Sequence, residues 1–285
     1  MIKNIFLFLA LLVLMIACNS QNVSDTKDSN QTQKLFFTPE QRLIADQYIS
    51  IFENATTVIK YDYASDIGDG RGITAGRAGF NSATGGMLIV IEKYTKIKPD
   101  NSLSKYIVEL KRLNKLYADN GYTLSVESAN TSNLVGLKSA WVENASFSEF
   151  RKVQDDVVDE LYFTPALEEG KKLGLKMPLS LLSLYDTQIQ HGKSGLTKIV
   201  AKATQMTGGL TPKSGADELE WLRNFNNYRK EVLNSNPTLW GGSTKRVDKL
   251  IELIDAKNTE LRPFELRIKY PNHPTWSDDV YYLPA

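Results

Sequence analysis

Cysteine and histidine are almost absent from this chain of 285 residues. Cys18 is the single cysteine, so the chain cannot form an internal disulfide. The two histidines, His191 and His273, are too few and too far apart in sequence to indicate a zinc site. We interpret His191 as the end of a core helix. The sequence implies no metal and no organic cofactor.

The chain also lacks a net charge and the usual motifs of phosphate-binding and nucleophilic enzymes. It carries 34 basic and 33 acidic residues, and 33 of each when residues 1–17 are left out. This balance gives no argument for nucleic-acid binding. The glycine-rich turn from Gly68 to Gly72 lacks the lysine and hydroxyl pair of a P-loop, and the sequence contains no nucleophile elbow.

A long apolar run occurs at the N-terminus, from Ile5 to Ile16. It is shorter than the roughly 20 residues that span a bilayer, so residues 1–17 are predicted to be a cleaved signal peptide. A small residue followed by Cys18 resembles the lipobox of bacterial lipoproteins, in which the cysteine is acylated and becomes the mature N-terminus. Asn19 gives no inner-membrane retention signal, which favours a lipid anchor in the outer membrane. The alternative is a plain secretory signal and a secreted protein with a spare thiol.

Residues 18–34 are polar, with Val23 as the one strongly apolar side chain. Such a segment buries too little surface to offset its ordering entropy, so it is predicted to be a flexible tether. Residues 35–285 remain for the folded part, which is long enough for a sizeable core. We expect a monomer that reaches the membrane only through its lipid.

Helical patterns dominate the folded part. Thr38, Pro39 and Gln41 predict a helix start, and apolar residues then recur at helical spacing as far as Phe52. A β-prone segment follows at Val58–Tyr63. The same reasoning predicts helices at Leu103–Tyr117, from a capping box at Ser146 to Phe163, and at Pro165–Gly174, Met177–Gly192, Leu196–Met206, Asp217–Leu233 and Lys245–Ala256, with a strand at Leu266–Tyr270. The fold class is therefore mainly α.

Two carboxylates flank the β-prone segment. Glu53 lies in the last turn of the first predicted helix, where the negative end of the helix dipole disfavours the charged form of the side chain. Asp69 lies in the glycine-dense turn. An acid at a helix end and an acid on a rigid loop are the minimum equipment of a glycoside hydrolase.

The wording around these acids resembles the signature of glycoside hydrolase family 46, the bacterial endo-chitosanases. The matching blocks follow one another in order through residues 35–285, which the resemblance identifies as the catalytic domain. They are Ser50–Asn54, Gly68–Gly76, Gly79-Phe80, Tyr162-Phe163, Leu184–Asp186, His191-Gly192, Tyr228-Arg229 and Arg246–Asp248. The resemblance implies a lysozyme-like α+β fold in which two helical lobes and a small β element flank a substrate cleft. A long buried helix, here Met177–Gly192, would join the lobes.

The resemblance also implies the chemistry. Members of this family cut β-1,4 bonds between glucosamine units inside chitosan, with inversion at the anomeric carbon. On the matching positions, Glu53 would be the general acid, Asp69 the general base that activates water, and Thr74 the hydroxyl that helps to hold that water. Inversion requires the two carboxyl groups to lie roughly 6.5–9.5 Å apart, so that a water fits between sugar and base.

Three further matches, Asp186, Arg229 and Arg246, would form a buried ionic network beneath Glu53. Such a network could position Glu53 and couple its proton affinity to neighbouring charges. It could equally be a structural ion pair that joins the lobes, and both roles remain open.

The chain departs from the family pattern at Gly86, where an aspartate usually binds an amino sugar. Asp62 and Asp66 could compensate for this missing acid, and Tyr63 could stack on a sugar, as could Tyr61 and Trp240. Arg71 is included among the candidate substrate-binding residues, although bracing the loop, as for Arg77, is its more economical role because the expected substrate is cationic.

Two other functions remain open at this stage. The protein could be a surface lipoprotein that binds glycans and has lost useful turnover, which Gly86 favours and the intact Glu53, Asp69 and Thr74 disfavour. The same fold could also act on chitin or peptidoglycan.

Overall fold

The computed structural model describes residues 36–236, 243–269 and 278–285. The predicted signal peptide, Cys18 and the predicted tether lie outside the described residues, as do Trp240 and His273. The predictions made for these segments therefore stay predictions.

The first helix, α1, spans Pro39–Asn54 and confirms the predicted start. Thr38 accepts a hydrogen bond from the Gln41 amide, and the Gln41 side chain accepts one from the Thr38 amide at 2.8 Å. The helix ends where Ala55 adopts a left-handed conformation with φ 54°. Glu53 therefore lies in the last turn, as predicted.

A three-stranded antiparallel sheet follows, in the order β1 (Ala64–Asp66), β2 (Ile73–Ala75) and β3 (Phe80–Asn81). The predicted strand at Val58–Tyr63 is wrong, because this segment is irregular. The carbonyl of Tyr61 accepts hydrogen bonds from the side chains of Trp141 and Gln154, at 2.9 and 3.1 Å. Tertiary side chains thus take a backbone group that a strand would have used in its ladder.

Helices make up most of the remaining described residues. Ser146 does not cap α5 as predicted, because its hydroxyl donates to the Glu143 carbonyl at the end of α4, at 2.7 Å. A π-helical segment, Asp159–Phe163, connects α5 to α6. The helices are α2 (Gly86–Ile97), α3 (Ile107–Asp119), α4 (Leu137–Ala145), α5 (Ser148–Val158), α6 (Thr164–Leu173), α7 (Pro178–Met206), α8 (Glu218–Ser235) and α9 (Thr244–Asp255).

Helix α7 is central and is broken at Gly192, whose φ of 65° and ψ of −177° interrupt the helix. Every residue from Pro178 to Gln188 is buried, against neighbours that include α6 and α8. The long buried helix and its end after His191 are therefore confirmed. A side chain at Gly192 would be strained, since L-residues rarely adopt this conformation.

Most of the buried apolar side chains belong to one hydrophobic cluster, to which each of the helices α1 to α9 contributes. The hairpin of β4 (Phe264–Ile268) and β5 (Asp279–Leu283) adds Leu266, Ile268 and Leu283 to it. Within the described ranges, no helix is both long and apolar enough to cross a membrane.

Candidate active site

A cleft of about 960 Å³ opens between the end of α1, the sheet and the start of α9. Its walls combine charged, hydroxyl and apolar groups from segments that are far apart in the sequence. Among its lining residues are Phe52, Glu53, Lys60, Asp62, Tyr63, Ile67, Thr74, Gly76, Gly79, Lys245, Arg246 and Ile268.

Glu53 enters this cleft from the last turn of α1. Its Oε1 accepts a hydrogen bond from Nη1 of Arg246 at 2.7 Å. The Glu53 side chain is 38% exposed, whereas the Arg246 side chain is 4% exposed. The carboxylate is therefore held from beneath and remains accessible to a ligand from the cleft.

Arg246 belongs to a buried ionic network. Its Nη2 and Nε donate to the two carboxylate oxygens of Asp186, at 2.5 and 3.2 Å, and Arg229 Nη2 lies 2.7 Å from the same carboxylate. The side chains of Asp186 and Arg229 are fully buried. Burial alone would raise the pKa of Asp186, but the positive charges of Arg246 and Arg229 outweigh it and hold the pKa below its usual value.

This network ties the start of α9, which forms part of the wall of the cleft, to three other helices. Tyr48 of α1 donates its hydroxyl to the backbone carbonyl of Arg246. Arg229 of α8 also donates to Gln190 of α7, at 2.6 Å. The start of α9, which carries Arg246, is thus tied to α1, α7 and α8, and so the position of the Glu53 side chain depends on all of them.

Asp69 lies on the loop that joins β1 to β2. Its Oδ1 accepts from the Arg71 amide at 3.0 Å, and its Oδ2 lies 3.2 Å from the Arg71 guanidinium. Gly68 and Gly70 have φ values of 71° and 78°, and a Cβ at either position would meet no atom within 4 Å. The loop thus presents Asp69 on open backbone that a ligand can approach closely.

The far end of this loop is seated tightly. A Cβ on Gly72, whose φ is 71°, would lie 2.4 Å from the Ser82 hydroxyl and 3.2 Å from the Ala129 carbonyl oxygen. The Ser82 hydroxyl accepts from the Ile73 amide at 3.1 Å and contacts the Arg71 carbonyl at 3.4 Å. Glycine is needed at position 72 for both conformation and space. Its close packing fixes the end of the loop that carries Asp69.

Thr74 lies on β2, paired with Ser65 on one side and Asn81 on the other. It lines the same cleft as Glu53. Its Oγ1 is buried and has no hydrogen-bond partner among the described residues. A buried hydroxyl in this state is a good site for an ordered water, which would satisfy it.

Comparison with known proteins shows to which family this chain belongs. The sequence model of glycosyl hydrolase family 46 matches residues 47–264. The chain belongs to glycosyl hydrolase family 46. A chitosanase of Bacillus subtilis (strain 168) is 41% identical over 239 residues, which are 80% of this chain and 82% of the relative. A chitosanase of Streptomyces sp. (strain N174) is 33% identical over 231 residues, which are 79% of this chain and 78% of the relative.

Solved structures of chitosanases have the same fold. The family 46 chitosanase of Gynuella sunshinyii, in complex with chitotetraose, superimposes with a TM-score of 0.76 at 44% identity. That match covers 88% of this chain and 100% of the other. A mutant chitosanase of Bacillus subtilis MY002, complexed with 6 GlcN, gives a TM-score of 0.74 at 37% identity over 86% of this chain and 99% of the other. The mainly α, lysozyme-like α+β fold is thus confirmed, and the protein is a glycoside hydrolase.

The remaining candidate residues of this family 46 enzyme divide into two groups. Asp62 and Tyr63 line the cleft with Glu53. Asp66 instead caps the Gly68 amide at 3.1 Å and faces a second depression, while Arg71 braces Asp69 as described above. Tyr61, a candidate for stacking, donates its hydroxyl to Asp155 at 2.9 Å and is part of the framework.

Sequence reasoning missed a second ionic network beneath the cleft. Arg77, 7% exposed, lies 3.0 Å from Asp46 and also pairs with Asp155. Asp46 in turn binds Arg42 at 3.0 Å and accepts from the Tyr185 hydroxyl at 3.1 Å. The turn after β2, which includes the cleft residues Gly76 and Gly79, is thereby fixed to α1, α5 and α7. The spacing of Arg42 and Asp46 is a helical i,i+4 pair, but nothing local to Arg77 indicates this partner.

Gly86, the departure from the family 46 pattern, is the first residue of α2. A Cβ there would meet Phe80 at 3.4 Å, an ordinary van der Waals contact. Neither space nor a left-handed conformation therefore requires glycine at this position. Among the described residues, no three His, Cys, Asp or Glu side chains are grouped so that they could hold a metal ion.

Proposed function

We propose that this glycoside hydrolase is an endo-acting chitosanase that cuts β-1,4 linkages between glucosamine units with inversion at the anomeric carbon. The observation that carries the proposal is the position of Glu53, which Arg246 holds in the wall of a cleft that Thr74 also lines, and the buried hydroxyl of Thr74 has no hydrogen-bond partner among the described residues. The chitosanase names of the relatives support the substrate class.

Glu53 is the general acid in this proposal. Its carboxylic acid protonates the glycosidic oxygen as the bond to the anomeric carbon breaks. The hydrogen bond from Arg246 leaves one carboxyl oxygen, Oε2, to face the ligand, and it restricts the rotamers of the side chain. Such preorganisation lowers the entropic part of the barrier.

Asp69 is the general base. It removes a proton from a water that attacks the anomeric carbon on the face opposite to the leaving group, so the product has the inverted configuration. Thr74 holds that water through its buried hydroxyl. After one turnover Glu53 is ionised and Asp69 is protonated, and exchange with solvent restores both.

The cleft carries both negative and positive side chains, so its charge matches a cationic amino sugar only in part. Asp62 lines the cleft and can pair with an ammonium group, but Lys60 and Lys245 line it as well. The alternatives, a glycan-binding protein without turnover and an enzyme for chitin or peptidoglycan, predict different results with deacetylated chitosan.

The test follows the viscosity and the reducing ends of a deacetylated chitosan solution. Endo cleavage by the parent lowers viscosity early, before many reducing ends form, and Glu53→Gln reduces the rate by at least about a thousandfold. Glu265→Gln is the matched control, because Glu265 is 39% exposed and pairs with Arg267 at 3.0 Å, outside the cleft. If the parent binds deacetylated chitosan without cleaving it, the result supports a glycan-binding protein without turnover. If the parent cleaves only N-acetylated polymers, the result supports an enzyme that acts on chitin or peptidoglycan.

We further propose that the enzyme is attached to the outer membrane through a diacylated Cys18, with residues 18–34 as a tether. The signal-like run and the residue before Cys18 support this proposal. Expression of the full chain with a labelled fatty acid tests it: the parent takes up label and sediments with outer membranes, whereas Cys18→Ser does neither. Unlabelled parent protein in the culture medium would indicate a plain secretory signal.

A further inference from the structure

A second depression of about 690 Å³ lies on the other side of the loop that carries Asp69. One wall consists of Asp66, Gly68, Gly70 and Gly72, and the other is formed by residues of the segment 124–131. None of the functions assigned above uses this space.

The two depressions share one partition. Ile67 lines the cleft that contains Glu53, while its neighbours Asp66 and Gly68 line the second depression. The main cleft and the second depression are therefore next to each other, with only this loop between them. Because Gly68 and Gly70 carry no side chain, their part of the partition is bare backbone.

The walls have the two features that bind an amino sugar. Leu124 and Val126 are 39% and 84% exposed and offer an apolar surface for the C–H face of a pyranose ring. Asp66 faces them from the opposite wall, and no lysine or arginine of the described residues forms an ion pair with it. An uncompensated carboxylate beside an apolar surface suits a ring that bears an ammonium group.

The depression is held in shape by contacts within its own walls. The Ser125 carbonyl accepts from the Ala129 amide at 3.0 Å, and the Ser125 amide donates to the Ser128 hydroxyl at 3.0 Å. A Cβ on Gly72 would lie 3.2 Å from both the Ala129 carbonyl oxygen and Cγ2 of Thr131, so this segment lies close against the loop. The segment 124–131 is therefore seated against the Asp69 loop before any ligand arrives.

We infer that this depression is an outer sugar subsite, which binds a glucosamine unit of the same chain whose bond is cut between Glu53 and Asp69. The inference rests on the proposed function, because it takes the polymer in the main cleft to be chitosan. It gives the enzyme an acid-and-apolar contact that the family aspartate, absent at Gly86, does not supply.

The test compares kcat/KM for a tetramer and an octamer of deacetylated glucosamine. Leu124→Ser with Val126→Ser, and separately Asp66→Asn, are expected to lower the octamer-to-tetramer ratio of kcat/KM by about fivefold. Asparagine keeps an acceptor for the Gly68 amide, so Asp66→Asn removes the charge while preserving the loop. Val108→Ser is the matched control, since Val108 is 80% exposed on α3 and lines neither depression.

The outcomes separate the two proposals. Parent and variants with the same octamer-to-tetramer ratio would overturn the outer subsite and leave the proposed chitosanase activity intact. A parent that cleaves neither oligomer would overturn both. Concentration-dependent dimerisation that the Leu124 and Val126 changes abolish would assign the apolar wall to a second copy of the chain and also overturn the subsite.

Discussion

Glu53 and Asp186 accept hydrogen bonds from the same guanidinium, that of Arg246, at 2.7 and 2.5 Å. One carboxylate stands at the surface of the cleft and the other is fully buried. Asp186 supplies the negative charge that offsets the cost of burying Arg246 and Arg229. Glu53, in contrast, is held in position by its hydrogen bond from Arg246. The two acids should therefore respond differently to neutral substitution.

We predict that Asp186→Asn lowers the free energy of unfolding by about 3–5 kcal/mol, because it leaves the buried guanidinium of Arg229 without a countercharge and Arg246 with Glu53 as its only one. Urea denaturation measures this change. Glu53→Gln is the comparison, and it should change stability by less than about 1 kcal/mol because the pair is partly exposed to solvent. Equal effects of the two substitutions would contradict the division of roles.

The close packing of Gly72, at the end of the Asp69 loop, gives a second prediction. Gly72→Ala should destabilise the protein by about 3 kcal/mol, since it adds a clash with Ser82 to the cost of a left-handed alanine. It should also lower kcat about a hundredfold by displacing Asp69.

Gly68→Ala is the control for this loop, because it has the same φ of 71° and no neighbour within 4 Å of the added methyl group. Only the conformational cost of about 1–2 kcal/mol remains there. Thermal unfolding and initial rates distinguish the two variants. If the Gly72→Ala enzyme is as active as Gly68→Ala, the position of Asp69 does not depend on the close packing of Gly72.

The sequence predicted α1, α6, α8 and α9 to within about two residues, because their caps and periodic apolar faces are local signals. It did not predict α2, which begins at a glycine pair and has no side-chain cap. Val58–Tyr63 has β-prone side chains, yet Trp141 and Gln154 claim its backbone from another part of the chain.

The candidate site shows the same limit. One cleft is lined by four of the candidate residues, which the sequence motifs around them were sufficient to select: Glu53, Asp62, Tyr63 and Thr74. The buried pairing of Arg77 with Asp46 and Asp155 joins three distant segments and carries no local signature. Such long-range charge networks become visible only when the fold is known.

His191 gives a prediction for the pH dependence of stability. Burial, followed by the positive charge of Arg229, lowers the pKa of His191 to about 4. The unfolded chain has the ordinary value of about 6.5, so it binds more protons than the folded protein between these pH values. This histidine therefore contributes stability that is present above pH of about 6.5 and is lost as the pH falls towards 4.

The measurement compares unfolding free energies of the parent and His191→Gln at pH values near 7 and 5. The parent should lose more stability than the variant over this interval, since other titrating groups are common to both proteins. Equal losses would show that His191 accepts a proton in the folded state as readily as in the unfolded chain.

Gly86 tests whether the missing family acid limits substrate affinity. The space beside Phe80 admits a side chain, so Gly86→Asp should fold and should lower KM for deacetylated oligomers by about fivefold. Gly86→Asn, which has the same size and no charge, should leave KM close to that of the parent. No change in KM or cleavage pattern with Gly86→Asp would mean that another group supplies this contact.

The central claim is that Glu53 and Asp69 act on opposite faces of the sugar, and the anomeric configuration of fresh product tests it most directly. Proton NMR of a deacetylated oligomer during the first turnovers should show α-product from the parent and none from Glu53→Gln or Asp69→Asn. Initial β-product from the parent would mean that the stereochemistry is retained, and it would contradict the assignment of Asp69 as a base that activates water.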